Sequence, residues 1–299
     1  MITSFAELVE SVKSKPKKTV AVAMAESEEV LKAISHAHAE GIADAVLVGN
    51  RRKIIEISQE NDIDISHFDI INTHSENQSV VRAIQLVREH LADTLMKGVC
   101  STSTLLKGVL DKELGIRSGK LLSHIALFEL KNYPRLLMMS DGGMNIAPDL
   151  EAKVAITDNA VQALRKLGIR KPKVAVIGAV EKVNYSGMPC TIDAAALSKM
   201  AERGQIANCI IDGPLALDNA VSKKACEIKG IKSVVDGEAD ILIMPNIEAG
   251  NVFYKALTYF SECQTAGLVV GAQVPIIVTS RADDDENKFN SIVLAMQVS

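Results

Sequence analysis

Short runs of Val, Ile, Leu and Ala recur along this chain, separated by longer amphipathic stretches. No other feature restricts the fold so tightly. The runs are 19–24 (TVAVAM), 45–49 (AVLVG), 67–72 (HFDIIN), 94–98 (TLMKG), 135–140 (RLLMMS), 173–178 (KVAVIG), 207–212 (ANCIID), 240–245 (DILIMP), 267–271 (GLVVG) and 275–280 (PIIVTS). Most are apolar without alternation, as strands covered on both faces should be. Between them, 26–40, 75–91, 149–167, 193–203, 248–259 and 289–296 read as helices. Val30, Leu31, Ile34 and Ala37 recur at helical spacing, and Gly41 supplies a stop. This alternation predicts an α/β fold with mostly parallel sheets.

A length of 299 residues fits one large or two ordinary domains. With 47% hydrophobic and 23% charged residues, a sizeable core is easily built. The helix that stops at Gly168 is followed by a basic linker and a fresh strand at 173. Residues 15–25 (KPKKTVAVAMA) and 170–180 (RKPKVAVIGAV) look like openings of two similar units, so two α/β domains are expected, without a true repeat.

A net charge of −4 and the lack of a long basic run argue against nucleic acid and anionic membranes as partners. Aromatic residues are 3% and Trp is absent, so a stacking platform for bases is not expected. The first fifteen residues carry Glu7 and Glu10 and no apolar core of a signal peptide. No apolar run approaches a membrane span. Five cysteines without CxxC spacing show no zinc or disulfide framework, and read as free thiols in a reducing cytoplasm.

The usual phosphate and hydrolase signatures (GxxxxGK[ST], GxGxxG, HExxH, GxSxG) are missing. What remains is polar residues at the carboxyl ends of strands, where open α/β sheets bind ligands. In 95–110, Ser101, Thr102, Ser103 and Thr104 lead into a helix. One hydroxyl suffices for a cap, while four with free N–H groups can hold an anion. Arg117 lies between two glycines in 115–119, as an oxyanion clamp or a solvated surface residue. In 140–154, Asp141 precedes a diglycine and Pro148 opens a helix. There a turn in which Asn145 holds backbone is preferred to a metal site, because no further ligands are visible. Asp212 starts a turn in 210–220, and Glu248, Gly250 and Asn251 open a helix after 240–245. Of six histidines only His124, in LLSHIALFE, invites notice. The strand 275–280 delivers Ser280 and Arg281 to its end. Asp283 and Glu286 behind them make a capping-box-like pair.

Taken together these stretches resemble the phosphate acetyl/butyryltransferase family, and within it the butyryl type. The likeness rests on LMKG, GIRSGKLLSH, DGGMNIAP, DGPLALDNAVS, IEAGN and TSRAD, in this order and spacing across the whole chain. It implies two α/β domains of the isocitrate/isopropylmalate dehydrogenase kind with an active site in the interdomain cleft. Residues 1–148 plus 274–299 would form one domain and 149–273 the other. It implies acyl transfer between CoA and phosphate, homo-oligomers of two or more chains, and no metal or prosthetic group. Ser280 would stabilise the carbonyl oxygen, and Arg281 and Arg117 would hold phosphate. The family's essential aspartate aligns near Glu286 or Asn287, so Glu286 is taken first as the base, with Asp283 beside it. Ser101, Thr102, Thr104, Asn145, Asp212, Glu248, Gly250 and Asn251 would face substrate. Asn246 stands where the family often has aspartate. The acetyl-specific enzyme is the nearest alternative. A metal- and NAD-dependent dehydrogenase of related fold would need an aspartate cluster on a helix, which the sequence lacks.

Overall fold

A computed structural model describes residues 2–279 and 284–299. Ser280, Arg281 and Asp283, three of the expected catalytic positions, lie outside the described residues. The chain divides into two compact units, Phe5–Lys120 with Thr265–Ser299 and Met1–Ser4 with Leu121–Gln264.

In the first unit the order is α1 (Phe5–Lys13), β1 (Lys18–Ala23), α2 (Glu28–Ala39), β2 (Ala43–Gly49), α3 (Arg51–Glu60), β3 (Asp69–Asn72), α4 (Glu76–Arg88), β4 (Thr94–Lys97) and α5 (Thr102–Val109). The second unit contributes β5 (Ser123–Leu130), β6 (Leu137–Ser140), α6 (Leu150–Lys166), β7 (Lys173–Ile177), α7 (Cys190–Glu202), β8 (Ile210–Leu215), α8 (Leu217–Val221), α9 (Lys223–Lys229), β9 (Ile241–Ile243) and α10 (Ile247–Phe260). The chain then runs through β10 (Cys263–Val270), β11 (Ile276–Ile277) and α11 (Asp285–Val298).

The strands of the first unit lie in the order β3-β2-β1-β4-β11-β10, parallel except for β10. Val20, Val22, Leu95, Met96, Ile276 and Ile277 are completely buried. These are the continuous apolar runs of the sequence, now covered on both faces. Strand order reverses between β1 and β4, the switch point at which such sheets bind ligands. There Gly98 and Val99 N–H donate to the Ala23 and Met24 carbonyls at 2.8 and 2.9 Å. A side chain on Gly98 would start 1.8 Å from the Met24 oxygen, so only glycine allows this approach.

The second unit has the order β5-β6-β9-β7-β8, with β5 antiparallel. β5 is the one strand that the pattern of runs does not predict; its apolar residues Ile125–Phe128 are fully buried. β8 extends through Asp212, Gly213 and Pro214, which were expected in a turn. It is an edge strand with a register irregularity opposite Ala175–Ile177, so a residue without N–H is tolerated there.

Three further expectations shift. β11 covers only Ile276 and Ile277, opposite Leu95 and Met96 of β4, rather than 275–280. Pro148 precedes the cap of α6 instead of opening its first turn; Asp149 accepts the Ala152 N–H at 2.8 Å. In α11 the cap is Asp284, one residue later than the Asp283–Glu286 pairing, and it accepts the Asn287 N–H at 2.8 Å. Asn287 is thereby turned toward β10, where its Oδ1 accepts from Thr265 N and Oγ1 at 2.8 and 3.1 Å. From Lys288 to Val298 α11 is buried. No helix among the described residues is long and apolar enough to cross a membrane. The five cysteines are free, with Cys100, Cys209 and Cys226 buried.

Candidate active site

The carboxyl ends of β6 and β9, neighbours in the second unit, bring together two of the stretches that the sequence marks. After Ser140 the chain turns at once, and the Asp141 carboxylate organises the turn from inside. Its Oδ1 accepts the Gly143 and Met144 N–H groups at 2.8 and 2.9 Å. Its Oδ2 accepts the His124 N–H at 3.2 Å and the Asn145 amide at 2.6 Å. Four donors on one buried carboxylate compensate its lost hydration without a cation. Asn145 also donates to the Leu122 carbonyl at 2.9 Å, so it holds backbone as expected.

Against this turn sits the first turn of α10. Asn246 caps it by accepting the Ala249 N–H at 2.9 Å. Asparagine caps a helix as well as aspartate does, so the cap needs no charge. Ile247 N–H donates to the Ile146 carbonyl at 2.9 Å. Gly250 is buried, and a Cβ there would lie 2.4 Å from the Asp141 carbonyl oxygen and 2.8 Å from Gly142 Cα. The contact is backbone on backbone, which explains the two glycines. Asn251 reaches the Gly142 carbonyl at 3.4 Å, and Glu248 is exposed beside it. Asn145, Glu248, Gly250 and Asn251 thus converge, while Asp212 lies within edge strand β8 and bonds the Gly213 N–H at 2.8 Å.

A second group forms at the switch point of the first unit. Ser101 caps α5 by accepting the Thr104 N–H at 3.0 Å, and its hydroxyl also meets Thr104 Oγ1 at 2.7 Å. Glu76 holds the Ser101 N–H at 2.8 Å. Thr102 is exposed and Thr104 half-buried. Capping therefore occupies Ser101 and Thr104, and Thr102 keeps an open hydroxyl. Lys97, buried at the end of β4, donates to the Gly98 and Cys100 carbonyls at 3.0 and 3.3 Å, shaping the loop from below. Burial pushes the Cys100 thiol up to about 11 against the pull of the Lys97 ammonium, so it is no nucleophile near neutrality.

Arg117 is exposed, and its backbone pairs with Ala272; Gln273 clasps the pairing through the Arg117 carbonyl at 3.1 Å. The Arg117 loop is therefore fixed to the segment that leads into β11. Glu286 is exposed in the first turn of α11. Sequence reasoning missed the structural parts played by Asp141, Glu76 and Lys97. Lys97 left a signal as a charge closing an otherwise apolar strand, and Asp141 left one as the acid before a diglycine turn.

Residues 4–80 and 75–296 match the phosphate acetyl/butaryl transferase family. The chain is 48% identical over 299 residues to the phosphate butyryltransferase of Clostridium acetobutylicum, covering 100% of this chain and 99% of that one. It is 43% identical over 289 residues to the phosphate acetyltransferase of Thermotoga maritima, covering 97% of each. Among solved structures, a branched-chain phosphotransacylase from Enterococcus faecalis V583 superposes with a TM-score of 0.84 at 32% identity, over 94% of this chain and 98% of that one.

Proposed function

Because the chain belongs to the phosphate acetyl/butaryl transferase family, we propose that it moves a short acyl group, butyryl first, reversibly between coenzyme A and inorganic phosphate. The full-length likeness to a phosphate butyryltransferase carries this reading. Acetyl transfer is the second reading, favoured by the likeness to an acetyltransferase over nearly the same span. Two methylenes separate the substrates and are worth only a few kcal/mol, so overlapping use is expected. CoA release measured with acetyl-, propionyl-, butyryl- and isobutyryl-CoA plus phosphate tests it. Absence of phosphate-dependent release with every donor would overturn it.

In the direction of CoA acylation, the CoA thiolate attacks the carbonyl carbon of the acyl phosphate. The C–S bond forms, the C–O bond to phosphate breaks, and phosphate leaves with the bonding pair. A base must take the thiol proton, since only the thiolate is a good nucleophile. The reading gives that role to Glu286, with Asp283 as the alternative. Ser280 donates to the developing oxyanion, and Arg281 and Arg117 hold phosphate. Ser101, Thr102, Thr104 and Asp212 complete the proposed substrate contacts, together with the junction of Asn145, Glu248, Gly250 and Asn251. CoA and phosphate enter as substrates, and the chemistry asks for no metal or prosthetic group. Both substrates belong to the cytoplasm, which is the proposed location.

Glu286→Gln is expected to depress kcat and flatten its rise with pH. If Asp283→Asn does this and Glu286→Gln does not, the base is misassigned. The reading also includes a homo-oligomer of two or more chains. Val252, Tyr259 and Phe260, exposed along one side of α10, support it as apolar surface in search of cover.

A further inference from the structure

The junction of the 141–146 turn with the first turn of α10 contains no lysine or arginine in DGGMNI or NIEAGN, and it carries Asp141 and Glu248. Asp149, three residues beyond Ile146 and the cap of α6, is a third acid nearby in sequence. Asp141 is buried and its charge is taken up by four donors, so the exposed carboxylates of Glu248 and Asp149 are what disfavour a phosphate dianion here. The orientation of Asn145 points the same way. Its nitrogen meets two acceptors, the Leu122 carbonyl and Asp141 Oδ2, and only an NH2 group can donate to both. Both amide hydrogens are therefore committed. The remaining Oδ1 has no hydrogen-bond partner among the described residues and is open to solvent. Asn145 can meet a ligand only as an acceptor, and phosphate at neutral pH is mainly an acceptor itself. Next to it Ile146 is 69% exposed, an apolar side chain at the carboxyl edge of a parallel sheet.

An acceptor oxygen and an exposed aliphatic side chain, in two segments without lysine or arginine, suit a neutral chain bearing amide N–H groups. On the reading that coenzyme A is a substrate, we propose that this junction receives its pantetheine arm. An arm amide N–H donates to Asn145 Oδ1, and phosphate binds elsewhere. Asp141 is the positioning residue: by taking one hydrogen of the Asn145 amide it fixes which face of that amide the arm meets.

The test is steady-state kinetics of the full chain with butyryl-CoA and phosphate, for wild type and Asn145→Ala. Butyryl-CoA has no thiol proton, so a contact to the thiol would not register. Loss of one neutral hydrogen bond should raise the butyryl-CoA KM about three- to tenfold, with the phosphate KM within about twofold of wild type. The same factor should persist with S-butyryl-pantetheine, which lacks the nucleotide. N-methylation of one arm amide should weaken the wild type and not weaken Asn145→Ala further, because the two changes remove one interaction. An unchanged butyryl-CoA KM, a raised phosphate KM, or a penalty that vanishes with S-butyryl-pantetheine each overturns the inference. If Asn145→Ala does not fold, the methylated substrates still decide with wild type alone: equal KM values for both methylated forms and the parent overturn it. A wild type without turnover overturns the functional reading instead, and the inference with it.

Discussion

Gly250→Ala is expected to destabilise the protein by about 3 kcal/mol and to lower acyl transfer on the order of a hundredfold. The added methyl carbon would start 2.4 Å from the Asp141 carbonyl oxygen and 2.8 Å from Gly142 Cα. Both neighbours are backbone, so no rotamer change can clear the space. Either α10 lifts away or the Asp141 turn gives, and that turn is held by four bonds to one carboxylate. Lifting α10 shifts Glu248 and Asn251 relative to Asn145, and misplacements near 1 Å cost about two orders of magnitude in positioned sites. Thermal unfolding and kcat/KM for butyryl-CoA check the two halves. A variant that melts and turns over like the wild type would show that the two turns do not press on each other as described.

The α/β architecture was legible because its strands are buried on both faces and advertise themselves as unbroken apolar runs. Where that condition weakens, the reading slips. β11 keeps only Ile276 and Ile277 in its ladder with β4, although the apolar run continues to Val278. Apolarity reports burial, and a ladder needs a partner. β8 runs through Gly213-Pro214 because an edge strand does not need every N–H. α11 starts at one of four consecutive acids, each of which could cap; the choice of Asp284 depends on Asn287 meeting Thr265, 22 residues away in the chain.

For the candidate site, motif spacing singles out residues and does not give their geometry. Asn145 was read as holding backbone, and it does so. Nothing in DGGMN says that Asp141 supplies the other half of that grip, since the His124 N–H that shares the carboxylate lies 17 positions earlier. Gly142 and Gly250 were separate glycines in the sequence, and a single backbone contact accounts for both. Ser101 could have been an anion ligand or a cap; Glu76, 25 residues before it, settles its backbone and the Thr104 N–H engages its hydroxyl. Long-range partners decided each case, and single-sequence patterns do not encode them.

Arg281→Ala is expected to raise the phosphate KM about a hundredfold or more, with a much smaller change in the butyryl-CoA KM. The argument starts from charge. Asp283, Asp284, Asp285 and Glu286 follow Arg281 within five positions, and 284–286 are exposed. Asp284 is committed to the α11 cap, but its charge remains. A phosphate bound near this stretch meets repulsion unless a guanidinium outweighs it. Arginine can form two parallel charge-assisted hydrogen bonds to phosphate, each worth roughly 1.5–3 kcal/mol. Losing both accounts for two orders of magnitude or more. Arg281→Lys keeps the charge without the fork, so it should recover part of the affinity and leave a deficit of about tenfold. Steady-state titration of phosphate at saturating butyryl-CoA separates the three proteins. A phosphate KM that does not move in Arg281→Ala removes this residue from the phosphate site, and Arg117 then becomes the cation to test.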